Sequence, residues 1–300
     1  MKIKVMVILA VFTCFLYSCE TMMRFADVIA QVAGATGIID RNTASAISQS
    51  ARAIGTAAEE ITPEQEYYIG RAVAANIFSS YTLYNGNPAL TNYLNLICAA
   101  ITINSPRPDI FNGYQVAILD SQEINAFATS GGHILVTRGL ISAARSEDAL
   151  ASVIAHEIAH IQLQHSIKAI KSSRVTQAIL VTGTSAAGAA AGMDVNQLTE
   201  VFNESVGEIV QTMVNSGYSQ TQEFEADSTA MSLMVSAGYN PAGLIEMLNT
   251  LRSIQTSSSG FGKTHPTPAQ RIANAEGSIT NYSVADTSGL RQARFTETAR

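Results

Sequence analysis

One stretch, His156-Glu157-Ile158-Ala159-His160, constrains this chain more than any other. On an α-helix, positions four apart lie about one turn apart on the same face, so His156 and His160 aim two imidazoles at one point. Glu157, one residue on, reaches a water held at that point. An H-E-x-x-H turn of this kind supplies two zinc ligands and a general base. The flanking residues supply the helix. Ser146 is a good N-cap, and Glu147 and Asp148 suit the positive end of the helix dipole. Leu150, Val153, Ile154, Ile158 and Ile161 make a broad apolar face, and Lys168 and Lys171 come near the end. The pattern predicts a helix from about residue 146 to 171.

Zinc held this way needs a third protein ligand, and a carboxylate from a second helix is a standard one. Ser219-Gln220-Thr221-Gln222-Glu223-Phe224-Glu225-Ala226-Asp227 opens a second helix, expected to run to about Ala237 and to close at Gly238. Glu223 and Asp227 share a face, while Glu225 points elsewhere. A ligating imidazole also needs an acceptor for its other ring nitrogen. Glu223 as ligand and Asp227 as that acceptor satisfy both needs; the plainer alternative is a solvated acidic face.

The chain's 300 residues, 47% of them hydrophobic, can bury a sizeable core. The first residues read as a signal. Lys2 and Lys4 precede an apolar run from Val5 to Tyr17, short for a membrane span, and Leu16-Tyr17-Ser18-Cys19 resembles a bacterial lipobox. Residues 1–18 are therefore read as a lipoprotein signal, with Cys19 as the lipidated residue. Cys14 is a weaker candidate, and an ordinary signal peptide or an uncleaved anchor is the alternative. Residues 19–60 read as a tether, 61–277 as the catalytic domain and 278–300 as a C-terminal tail without clear core pattern. Without residues 1–18, 16 basic side chains face 24 acidic ones, which argues against nucleic acid as a partner. Cys98 then has no second unmodified thiol to pair with and reads as a small buried hydrophobe.

Thr62-Pro63 starts a helix expected to reach about Tyr81, and a second helix is expected from about Ala89 to Asn104. Strand signals follow over 114–119 and 133–137, with 124–127 either continuing the first strand or turning. Residues 183–192 are rich in Ala and Gly, and helices are expected over about 195–216 and from Pro241. The fold class is α+β, mostly helical, with a small sheet beside the metal helix. A strand there is placed to hold an extended peptide by backbone pairing.

Four features in order resemble the HtpX/BepA-type gluzincin metallopeptidases, relatives of the CAAX prenyl proteases. They are Asn125-Ala126-Phe127 with Gly131-Gly132-His133 leading to Val136-Thr137-Arg138-Gly139-Leu140; His156-Glu157-x-x-His160; Glu223-x-x-x-Asp227; and His265-Pro266 followed by Arg271. The resemblance spans roughly residues 62–275 and implies a zincin-like, mostly helical zinc endopeptidase with one Zn2+ per chain. It implies that His156, His160 and Glu223 bind zinc, that Glu157 is the general base and that Asp227 orients a ligating histidine. By the same resemblance His265 either stabilises the tetrahedral oxyanion or fills the open zinc position and holds the enzyme inactive. Arg271 either binds substrate carbonyls or braces the fold. His133 is expected near the substrate strand. His165, five positions beyond His160, is expected off the metal face, solvated or hydrogen-bonded.

The sequence thus points to a lipid-anchored zinc endopeptidase facing the periplasm of a bacterial cell envelope, on the outer membrane. Its expected substrates are unfolded or misassembled envelope proteins. The alternative is an envelope-assembly or chaperone-like factor with a gated zinc site. A purely structural zinc site is disfavoured, since three ligands and a base leave a coordination position open.

Overall fold

Ser146 caps the metal helix as its sequence dictates: its hydroxyl accepts the Ala149 N–H at 3.0 Å, and the helix runs Glu147–Gln162. This helix is the axle of the fold. The computed structural model describes residues 61–168, 203, 204, 206–254, 260–265 and 268–299. The signal and tether of the first 60 residues, Cys19, the Ala/Gly-rich stretch 183–192 and the first part of the helix expected over 195–216 lie outside the described residues.

Two helices precede the sheet, α1 (Pro63–Ile77) and α2 (Pro88–Thr102). Each starts on proline at N1 behind a side-chain cap, Thr62 with Gln65 in a reciprocal capping box and Asn87 on the Leu90 N–H. The sheet has three strands, β1 (Gln115–Leu119), β2 (Ala126–Thr129) and β3 (His133–Thr137), in the order β1-β3-β2. β1 runs parallel to β3 with Gln115 opposite His133, and β2 runs antiparallel to β3 with Ala126 opposite Val136. The stretch over 124–127 therefore turns into a strand of its own. The β2–β3 turn uses Gly131 and Gly132 at φ +84° and +97°. A side chain at Gly132 would also strike the Gly113 carbonyl, so only glycine fits there.

The remaining helices are α3 (Arg138–Ala143), α4 (Glu147–Gln162), α5 (His165–Lys168), α6 (Gln220–Ser236), α7 (Ala242–Ile254), α8 (Phe261–Thr264), α9 (Pro268–Ile279) and α10 (Ser288–Ala299), with a π-helical segment Gln211–Ser216 before α6. The described part is mostly helical with one small mixed sheet, as the sequence predicts. No helix among the described residues is long and apolar enough to cross a membrane.

The sequence suggests one apolar face for α4; the structure buries it on every side, with 15 of its 16 residues inside. It packs against α6, α7, α2, α10 and β2. Ala151, Ala155 and Ala159 on α4 and Ala226 and Ala230 on α6 recur one turn apart and are fully buried, which suits close approach of these two helices. Each large buried apolar residue of α4, such as Leu150, Ile154 or Ile158, contributes about 1.5–3 kcal/mol by leaving water. A helix buried all round must partner its polar groups internally. Glu147 accepts from the Tyr93 hydroxyl at 2.9 Å and pairs with Arg294. Asp148 pairs with Arg291 at 2.9 Å and accepts the Asn240 N–H. Both arginines lie on α10, in the stretch read from sequence as a tail, and Phe295 of the same helix is 0% exposed within the core.

The helix expected to reach residue 171 ends at Gln162. Gln164 adopts φ +55°, the left-handed region, and its side-chain amide is tied to Glu66 on α1. That residue turns the chain before the short helix α5 begins.

Candidate metal centre

α4 and α6 lie side by side, so the donors read from each meet. His156 Nε2 lies 3.0 Å from His160 Nε2, and Glu223 Oε2 lies 3.4 Å from His156 Nε2. Glu223 Oε1 is 3.5 Å from His160 Nε2. A fourth donor arrives from the segment between α8 and α9: His265 Nδ1 is 2.9 Å from Glu223 Oε1 and 3.4 Å from His156 Nε2. Donor atoms of His156, His160, Glu223 and His265 all lie within 4.8 Å of one another, and all four side chains are buried. Three nitrogens and a carboxylate at this spacing are the donor set of a tetrahedral zinc site.

Asp227, one turn beyond Glu223, places Oδ1 3.0 Å from His156 Nδ1, where it accepts that ring's second N–H. Arg271, buried on α9, donates from Nη2 to Asp227 Oδ1 at 2.6 Å and from Nε to Oδ2 at 2.8 Å. Its Nη1 lies 3.2 Å from Glu223 Oε2. The guanidinium is thus engaged with Glu223 and Asp227, and this geometry suits a brace rather than a group reaching for substrate carbonyls.

Glu157 is buried, and its Oε1 finds no hydrogen-bond partner among the described residues. His265 Nε2 is 3.8 Å from it. His265 is itself held through Phe261: its backbone N–H donates to Phe261 O at 2.8 Å and its ring stacks on Phe261 at 4.1 Å, while Phe261 N–H donates to Ile124 O just ahead of β2.

Charge follows from these contacts. Burial pushes His160 down to about 3, so it stays neutral. Burial and Arg271 oppose protonation of His156, yet Asp227 and Glu223 outweigh them and push it up to about 9. Burial alone would raise the Glu223 and Asp227 carboxyls. His265 and Arg271 hold Glu223 well below the usual carboxylate range, and Arg271 brings Asp227 down to about 2. At Glu157 burial wins instead: it raises the carboxyl against the lowering pull of His265, His156 and Arg271.

Three further residues are placed by the structure. His133 stands at the start of β3, its Nδ1 3.0 Å from Thr129 Oγ1 and its ring stacked on Tyr67, apart from the metal donors. Tyr218 stacks on His160 at 4.2 Å with its hydroxyl buried and without a partner among the described residues. Only its position before the Ser219 cap marked it in the sequence. His165 is hydrogen-bonded as expected but buried, not solvated: the turn at Gln164 carries it back beneath His160.

A buried helix that carries two histidines and a glutamate, faced by a carboxylate from a second helix and flanked by a small sheet, defines a zincin of the glutamate-ligated type. Residues 89–279 match the model of peptidase family M48, and the chain belongs to that family, whose metal is zinc. It is 32% identical over 152 residues to metalloprotease LoiP of Escherichia coli K12, an alignment covering 50% of this chain and 57% of that protein. It is 26% identical over 219 residues to the β-barrel assembly-enhancing protease of the same strain, covering 70% and 43%. It is 27% identical over 193 residues to mitochondrial metalloendopeptidase OMA1 of Schizosaccharomyces pombe, covering 62% and 52%. The chain spans about half the length of the curated relatives it matches.

Proposed function

We propose that this chain is a zinc-dependent endopeptidase, lipid-anchored through Cys19 on the periplasmic face of the outer membrane, that cleaves unfolded or misassembled envelope proteins. The observation that carries the hydrolytic reading is Glu157, a buried carboxylate with one oxygen that has no hydrogen-bond partner among the described residues, beside the convergent donors His156, His160 and Glu223. Zinc, when bound, polarises the scissile carbonyl and acidifies the attacking water. Glu157 takes the proton from that water and delivers it to the leaving amine, and its raised proton affinity suits both transfers. Asp227 keeps His156 oriented through Nδ1, and Arg271 fixes Asp227 and Glu223. β2, the outer strand beside α4, is the edge on which an extended substrate would pair. The lipobox-like Leu16–Cys19 stretch supports the anchor, and a relative named for β-barrel assembly supports envelope substrates.

One observation favours a latent resting state. His265 sits among the donors with Nδ1 beside Glu223 and Nε2 toward Glu157, in the space a substrate carbonyl needs. We read His265 as the occupant of the fourth position rather than as an oxyanion donor. A binding-only assembly factor is less well supported, since it has no use for Glu157.

The test is zinc content and unfolded-casein cleavage for residues 20–300 as wild type, Glu157→Gln and His265→Ala. One zinc per chain, cleavage lost in Glu157→Gln and raised in His265→Ala is the expected result. Full zinc occupancy with no cleavage of casein by any variant would turn the reading toward a binding factor.

A further inference from the structure

His165 lies outside the H-E-x-x-H turn and the zinc donor group, yet it is fully buried against one of the ligands. An unbroken helix would put residue 165 about 140° around from His160. The left-handed Gln164 breaks the helix and returns the side chain to the underside of that ring. His165 Nδ1 then lies 2.9 Å from His160 Nδ1, and His165 Nε2 lies 3.4 Å from Glu225 Oε2. Glu225 is the α6 acid on the side away from Glu223 and is 54% exposed.

Proton placement along this row has one solution once His160 uses Nε2 as a ligand. Its Nδ1 must then carry hydrogen, and a hydrogen there needs an acceptor. His165 Nδ1 is within reach, so it presents its lone pair and His165 carries its own hydrogen on Nε2. Glu225 accepts that hydrogen. His156 is handled differently, with its Nδ1–H going straight to the buried Asp227 carboxylate. We propose that His165, backed by Glu225, is the positioning residue for the second zinc-ligating histidine, fixing the tautomer and ring orientation of His160 as Asp227 does for His156. This rests on the zinc-site reading of His160 but not on the reaction that the site performs.

The test separates acceptor chemistry from packing. Asparagine at 165 keeps an acceptor oxygen near the position of Nδ1 and loses ring bulk; phenylalanine keeps the bulk and loses the acceptor. Zinc affinity is measured on the purified chain by competition with a chromophoric chelator, alongside the visible spectrum of the cobalt-substituted protein. His165→Phe should weaken zinc binding by about 10–100-fold and shift the cobalt bands, while His165→Asn stays within about threefold of wild type. A His165→Phe protein that binds zinc as tightly as wild type, or a His165→Asn protein as weak as His165→Phe, would overturn the proposal. Should the variants fail to fold, nitrogen-15 histidine spectra of the zinc-loaded wild type decide: hydrogen on Nδ1 of His160 and on Nε2 of His165 is expected, and hydrogen on Nδ1 of His165 overturns it. Zinc binding without proteolysis would sink the peptidase reading and leave these comparisons intact. A wild type that binds no zinc would sink both.

Discussion

Arg271 and Asp227 form a two-pronged ion pair sealed from solvent behind His156, with Nη2 2.6 Å from Oδ1 and Nε 2.8 Å from Oδ2. The same guanidinium lies 3.2 Å from Glu223, so one side chain of α9 fixes both a member of the donor group and the acceptor behind His156. Arg271→Ala leaves two buried carboxylates, Asp227 and Glu223, sharing His156 in place of the guanidinium. It should cost about 3–5 kcal/mol of the metal-free protein's stability, read from denaturant midpoints. Arg271→Lys should recover little, because a single ammonium cannot reproduce the fork. Wild-type stability in Arg271→Ala would refute the bracing role.

Zinc and proton compete at His156. In the metal-free protein its imidazole is pushed up to about 9, so it is protonated at neutral pH, while His160, down at about 3, is not. A ligating imidazole must be neutral, so binding near pH 7 should release about one proton from His156, and affinity should rise about tenfold per pH unit up to about 9. Calorimetry in two buffers of different ionisation enthalpy measures the release. Equal heats in both, with affinity flat from about pH 6 to 8, would contradict the assignment.

α1 meets the β2–β3 turn at Gly70. A Cβ there would lie 1.4 Å from the Ser130 carbonyl oxygen. Gly70→Ala should therefore destabilise by at least about 1–3 kcal/mol through displacement of α1, despite alanine's better helix propensity. A thermal melt no lower than wild type would mean that the helix shifts freely.

Phe295 and Arg294 are neighbours on α10 with different expectations. Phe295 is fully buried, and Phe295→Ala should cost about 3–5 kcal/mol. The Arg294 side chain is half exposed, so Arg294→Ala should cost less, about 1–3 kcal/mol, the buried Glu147 losing its guanidinium but keeping the Tyr93 hydroxyl. Urea midpoints of the two variants test the ranking.

Lipidation is testable apart from chemistry. Cys19→Ser should abolish incorporation of labelled palmitate and move the chain from membrane to soluble fractions of a bacterial host. Retained label would point to Cys14 as the modified residue.

The placement of His156, Glu157, His160, Glu223 and Asp227 was legible because helical spacing is rigid: residues four apart on α4 and on α6 must share a face. The fold class was legible for a related reason, since caps and β-branched runs mark elements locally. What escaped the sequence depends on single backbone torsions and distant partners. A left-handed turn at glutamine has no sequence signal, because glycine or asparagine is the usual occupant, so the end of α4 and the return of His165 were hidden. Helix α10 was hidden because one phenylalanine among polar residues makes no stripe; its worth comes from two arginines that meet acids about 145 residues earlier. Arg271 was ambiguous until its carboxylate partners were seen.

The donor group is dispersed along the chain in a way that sets when it can exist. A ribosome that has released α4 has released His156, Glu157 and His160. Glu223 and Asp227 come some seventy residues later, Arg271 later still, and the α10 arginines that neutralise Glu147 and Asp148 come last. The donor group is therefore absent from α4 alone and comes together only through contacts that close long stretches of chain, so its assembly follows tertiary folding rather than helix formation.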